Sequence, residues 1–134
     1  MKLFIDTNIV IDVIAGRKPF LADSQTILHL CETGKAEGVV SALTLCTVAY
    51  VLRKSVGAGT MRKKLRDFRN VLKPLDLSVS ILDRAIDSSI SDFEDAVQFF
   101  TAVYSEADYI ITRNVKHFPH DNIPVLTPAA FLIM

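Results

Sequence analysis

The chain has 134 residues, half of them hydrophobic, and its 15 Lys and Arg balance 15 Asp and Glu. That length suits one domain with a sizeable core and is too short for two ordinary ones, so residues 1–134 are expected to form a single unit. No window approaches the roughly 18 uninterrupted apolar residues of a membrane span, and the apolar start lacks a basic leader and is broken by Asp6 and Asp12, so a soluble, cytoplasmic protein without membrane contact is expected.

Residues 2–5 form a short apolar run suited to a buried parallel strand, which is covered on both sides and need not alternate. It ends at Asp6. From about 19 to 33, Phe20, Ile27, Leu28, Leu30 and Cys31 recur at helical spacing, and Gly34 is placed to cap that helix. Val39-Val40 is a second strand candidate. Leu43 to Leu52 is a strongly apolar helix, expected to stop at Gly57 and Gly59, and a basic helix covers about 60 to 71. Pro74 limits residues 72–77 to an edge strand. Two further helices follow over 78–90 and 92–106, then Tyr109-Ile110-Ile111, the clearest buried strand. Residues 123–126 make another strand, and Thr127-Pro128 supplies an N-cap and a first-turn proline for a short last helix. Strands alternating with helices make the class α/β with a central, mostly parallel sheet. Cys31 and Cys46 lack CxxC spacing and read as small buried hydrophobes.

Charge is unevenly distributed. Eight of the fifteen basic residues fall between Arg53 and Lys73, where Asp67 is the only acid. Such a block is either a solvated helix face or half of a polyanion-binding surface.

In parallel sheets ligands bind beyond the carboxyl ends of the strands, near the point where strand order reverses. Asp6 ends the first strand, and Thr112-Arg113-Asn114 follows the apolar run at 109–111. A third contribution comes from Ser91-Asp92-Phe93-Glu94-Asp95. Ser91 and Glu94 have the spacing of a capping box that starts a helix at 92. Its acids favour the helix N-terminus, yet Asp95 shares one polar side with Gln98, Thr101 and Ser105, opposite the apolar stripe. Asp6, Asp95 and Asn114 are therefore expected to converge, with Asp92 as a further acid. Asp12 reads as an exposed helix residue. Carboxylates brought together repel one another, and a cation resolves the conflict; oxygen ligands without His or Cys select Mg²⁺ or Mn²⁺. Such an ion supports phosphodiester hydrolysis, and the basic block, through Lys63, Lys64 and Arg66, is placed to hold the backbone of the substrate.

Asp6-Thr7-Asn8, Ser41-Ala42-Leu43-Thr44-Leu45, Asp92-Phe93-Glu94-Asp95-Ala96 and Ile110-Ile111-Thr112-Arg113-Asn114, in this order and at these intervals, resemble the PIN domain, in particular VapC-like toxins. The resemblance runs almost end to end. It implies a three-layer α/β/α fold and a Mg²⁺- or Mn²⁺-dependent endoribonuclease, usually a homodimer, held inactive by a small antitoxin. Asp6, Asp95 and Asn114 match the family's metal-site positions, with Asn8 and Thr112 as supporting polar groups. Thr47 stands where the family usually has a glutamate, Asn114 where an aspartate is common, and His117 where many relatives have Asp. The rival is a PIN-fold module that binds RNA or a partner without cleaving. No glycine arrangement forms a phosphate loop, and Pro119 breaks the spacing a zinc site would need between His117 and His120.

Overall fold

A computed structural model describes all residues 1–134. Five strands, β1 (Lys2–Ile5), β2 (Glu37–Ser41), β3 (Lys73–Leu75), β4 (Tyr109–Ile111) and β5 (Val125–Leu126), form one sheet in the order β3-β2-β1-β4-β5, every pair parallel. The seven helices are α1 (Thr7–Ala15), α2 (Leu21–Glu32), α3 (Ala42–Leu52), α4 (Ala58–Val71), α5 (Val79–Asp87), α6 (Phe93–Ser105) and α7 (Pro128–Leu132).

The apolar runs divide between two cores because successive strand residues point to opposite faces. Leu3, Ile5, Val40 and Ile111 pack with Ile9, Ile27 and Val48 from the helices on one side. Phe4, Val39 and Ile110 pack with Phe99 and Ala102 of α6 on the other. The result is three layers, with α5 joined to α6 through Ile81, Ala85, Ala96 and Val97. Gly38 lets β2 pass beneath α2, since a Cβ there would meet Leu72 Cδ2 at 2.6 Å and Cys31 Sγ at 2.7 Å.

Several local expectations shift. The helix α3 ends at Leu52, before either glycine, and Gly57 instead caps the start of α4. Asp92, not Ser91, caps α6: its Oδ1 accepts from Asp95 N at 2.9 Å, so the helix starts at Phe93. The Asp92 carboxylate adds favourable charge at the positive helix end. Cys31 is buried as expected, whereas Cys46 is exposed on the outer side of α3. Asp12 is the largest departure: it is 0% exposed, because α1 turns that side toward the loop after β4. Thr127 and Pro128 start α7 as expected, with Thr127 Oγ1 accepting from Ala130 N. β3 is indeed an edge strand. No helix is long and apolar enough to cross a membrane.

Candidate active site

From β1 the chain proceeds to one side of the sheet through β2 and β3, and then returns to the other side through β4 and β5. The reversal puts a crevice between the carboxyl ends of β1 and β4, where Asp6 N donates to Ile111 O at 3.0 Å. Asp6 therefore sits at the switch point, buried, and caps α1.

A carboxylate buried there needs donors, and three reach it. Thr112 Oγ1 donates to Oδ2 at 2.6 Å, Thr7 N to Oδ1 at 2.8 Å and Gln98 Nε2 to Oδ1 at 3.2 Å. Burial still raises the Asp6 pKa, with these hydrogen bonds opposing the shift. The donors are themselves held. Gln98 Nε2 also donates to Thr7 Oγ1 at 2.8 Å, and Thr7 Oγ1 pairs with Thr44 Oγ1 at 2.9 Å. Gln98 Oε1 is buried and has no partner.

Asp95 lies in the first turn of α6, one helical turn before Gln98. Its pKa is raised to about 6, first by burial, then by the negative charges of Asp92 and Asp6. His117 Nδ1 lies 3.2 Å from Asp95 Oδ2 and opposes that shift. The two carboxylates thus feel each other across the crevice. Asp92, Asp95, Lys116 and His117 line a pocket of about 410 Å³.

The remaining expected residues divide. Asn114 reaches the network through its backbone, donating N–H to Thr112 Oγ1 at 3.0 Å, while its side chain is exposed. Asn8 makes long contacts of 3.5 Å to Thr112 Oγ1 and to Arg113 N, supporting the same loop. Arg113 Nε in turn donates to Asp12 Oδ2 at 2.7 Å, a buried ion pair that ties the loop to α1. Thr47 donates to Leu43 O within its own helix; Thr44, one turn earlier, is the α3 residue that reaches Thr7 and Gln98. Lys63, Lys64 and Arg66 are exposed on α4. Arg66 joins Arg62, Arg69, Leu65 and Leu45 around a groove of about 370 Å³ that Lys63 and Lys64 do not line.

Residues missed in the sequence are Thr7, Thr44 and His117, and Gln98 beyond its place on a polar helix side. Gln98 left a trace at three-residue spacing from Asp95, Thr7 and Thr44 lay inside motifs already singled out, and His117 stood out as a departure from the Asp common in relatives. No three His, Cys, Asp or Glu side chains cluster in metal-binding geometry. The donor set nevertheless fits Mg²⁺ or Mn²⁺: two carboxylates with raised pKa values, neutral oxygens around them and one unpartnered buried oxygen, for an ion that keeps several waters and needs only one or two carboxylates.

Comparison with known proteins agrees with this arrangement. Ribonuclease VapC1 of Aquifex aeolicus (strain VF5) is 28% identical over 138 residues, spanning 97% of this chain and 92% of that protein. The structure of VapBC2 from Rickettsia felis bound to a DNA fragment from its promoter has the same fold, with a TM-score of 0.69 at 19% identity over 93% of this chain and 97% of that one. A toxin–antitoxin complex from Klebsiella pneumoniae also gives 0.69, at 23% identity over 94% and 97%. The family model described as PIN domain matches residues 2–116, including Asp6, Asp95 and the Thr112–Asn114 loop at the switch point, and the chain belongs to that family.

Proposed function

We propose that the protein is a Mg²⁺- or Mn²⁺-dependent endoribonuclease and the toxin of a toxin–antitoxin pair. The observation that supports the reading is the approach of two acids, Asp6 at the switch point and Asp95 across the crevice, each raised in pKa first by burial, and Asp95 also by the negative charges of Asp92 and Asp6. Kinship to a ribonuclease VapC1 and the fold shared with toxin–antitoxin complexes support RNA as substrate and a small antitoxin as partner. A homodimer in the cytoplasm is the accompanying expectation.

Asp6 and Asp95 would hold the cation, with Asn114 beside them and Asp92 adding charge while it caps α6. A cation held there would supply Lewis acidity toward a phosphate oxygen and toward a water. Thr112, Gln98 and Thr7 keep Asp6 in one orientation, so that no reorganisation is needed as charge develops. The helix α6 carries Asp95 on a rigid first turn fixed by the Asp92 cap. Lys63, Lys64 and Arg66, on the basic helix, attract the backbone of the RNA. His117 holds Asp95 Oδ2 in the absence of substrate.

One observation favours a second reading, a PIN-fold module that binds RNA or a partner with weakened catalysis: the site has two close carboxylates, and the α3 position expected to add another is the neutral Thr47. Purified protein incubated with RNA, with and without Mg²⁺ or Mn²⁺, separates the two. Cleavage that chelation and Asp95→Ala both abolish supports the nuclease; RNA binding without metal-dependent cleavage supports the module.

A further inference from the structure

Beside the acid site, on the same edge of the sheet, lies a slot of about 330 Å³ between the start of α2, the loop after β4 and the start of α7. We propose that it is a nucleobase subsite that selects a guanine next to the scissile phosphate; this rests on the RNA-cleaving reading above.

Its lining includes Phe20, Pro19, Asp23, Arg113, Thr127 and Pro128. Phe20 is 40% exposed, a large aromatic left open to solvent at the mouth of the slot. Its ring already serves as a platform, since the Arg113 guanidinium lies 4.3 Å from the ring centroid. Bases stack on such platforms whatever their identity.

The polar groups supply the discrimination. Asp23 and Arg113 line one small cavity with opposite charges and form no ion pair with each other. Arg113 uses only Nε, on Asp12, so its two Nη nitrogens have no protein acceptor. A ligand between them must present acceptors on one edge and donors on another. Guanine does so, with O6 and N7 toward an arginine and its N2 amino group toward a carboxylate. The slot is too small for a helix, whose diameter with side chains is about 10–12 Å. It also adjoins the chemistry: Arg113 follows Thr112, whose hydroxyl holds Asp6.

Two measurements on the full chain test the proposal. Cleavage of a random-sequence RNA pool in Mn²⁺, mapped at each cut, is expected to show guanine favoured at one position flanking the break; Asp23→Asn is expected to reduce that preference about tenfold or more, and Phe20→Ala to weaken cleavage at all sequences alike. Calorimetric titration with GMP, AMP, CMP and UMP is expected to show GMP tightest, with the difference lost in Asp23→Asn and all four affinities lowered together in Phe20→Ala; circular dichroism checks that both variants are folded. If the wild type cleaves RNA without base preference, or Asp23→Asn keeps it, the slot is not a guanine subsite. If no cleavage occurs but GMP is still selected and Asp23→Asn abolishes selection, the subsite stands and the nuclease reading falls. Equal affinity for all four nucleotides, with Phe20→Ala altering only association with a protein, assigns the slot to a protein side chain and overturns the proposal.

Discussion

Removing Arg113 tests how the site loop is held. Asp12 is fully buried, and its Oδ1 has no partner even in the intact protein, so the charge rests on one 2.7 Å hydrogen bond from Arg113 Nε. Breaking a buried pair by deleting one member costs about 3–5 kcal/mol. The Arg113 side chain is 23% exposed, which lets some water reach the abandoned carboxylate and points to the lower end, about 3 kcal/mol. Loss of the stack on Phe20 adds about 0.5–1 kcal/mol. Arg113→Ala is therefore expected to lower stability by about 3–4 kcal/mol, a large share of the roughly 5–15 kcal/mol available to a domain. The double variant Asp12→Leu/Arg113→Met, which removes both charges and keeps apolar volume, should lie within about 1 kcal/mol of wild type, because it leaves no ion stranded. Urea unfolding followed by circular dichroism on Asp12→Leu, Arg113→Met and the double closes the cycle, with a coupling of about 3 kcal/mol expected. Losses that simply add, or an Arg113→Ala cost below about 1 kcal/mol, would refute the buried-pair account.

Three other outcomes follow from the geometry. Asp95 is raised to about 6 and Asp6 is raised as well, so the folded protein holds these protons more tightly than the unfolded chain, whose aspartates titrate near about 3.9. The stability held by the protonated Asp95 is lost as pH rises from about 4 through about 6, so the metal-free melting temperature should gain from lowering pH from 7.5 to 5, Asp95→Asn should blunt that gain, and Mn²⁺ affinity by calorimetry should weaken over the same interval as protons compete. Gly38→Ala, which drives a Cβ into Leu72 and Cys31, should cost about 1–3 kcal/mol in scanning calorimetry without altering Mn²⁺ affinity, since the contact lies under α2, away from Asp6. Thr47→Glu, one turn beyond the Thr44 that meets Gln98, should tighten Mn²⁺ binding about tenfold by adding a charge to a two-carboxylate pocket; unchanged calorimetric affinity would place residue 47 outside the metal's reach.

Asp6 was legible because a charge interrupts an apolar run where a strand must end, and Asp95 because it shares one polar helix side with Gln98, Thr101 and Ser105, opposite the apolar stripe. Both signals are local. The order of elements was legible for the same reason, from Tyr109–Ile111 as a buried strand to Pro74 at the sheet edge. Asp12 was misread because its partner, Arg113, lies 101 residues away, and without that cation a polar residue on a helix looks solvated. Thr44 looked like any polar residue on a helix: its meaning comes from Thr7 and Gln98, brought in by other elements. The start of α6 slipped by one residue because Ser91-x-x-Glu94 and Asp92-x-x-Asp95 offer overlapping caps, and periodicity does not weigh a carboxylate against a hydroxyl. The subdivision of the basic helix into a groove-lining arginine side and an outer lysine side was likewise invisible to a count of charges.

The 2.6 Å bond between Thr112 and Asp6 spans 106 residues, and β1 gains its second neighbour only when β4 pairs with it. A ribosome adding about 5–20 residues per second needs about 5–20 s to travel from one partner to the other. For that interval the first acid has been made and its hydroxyl donor has not. Early fragments hold the central strand with one side unpaired and the crevice unwalled, whatever else has folded. The molecule is therefore built with its own delay: the ends of the chain must meet before the acids can act together, and a product truncated before Thr112 carries Asp6 and Asp95 without the clasp that aims the first of them.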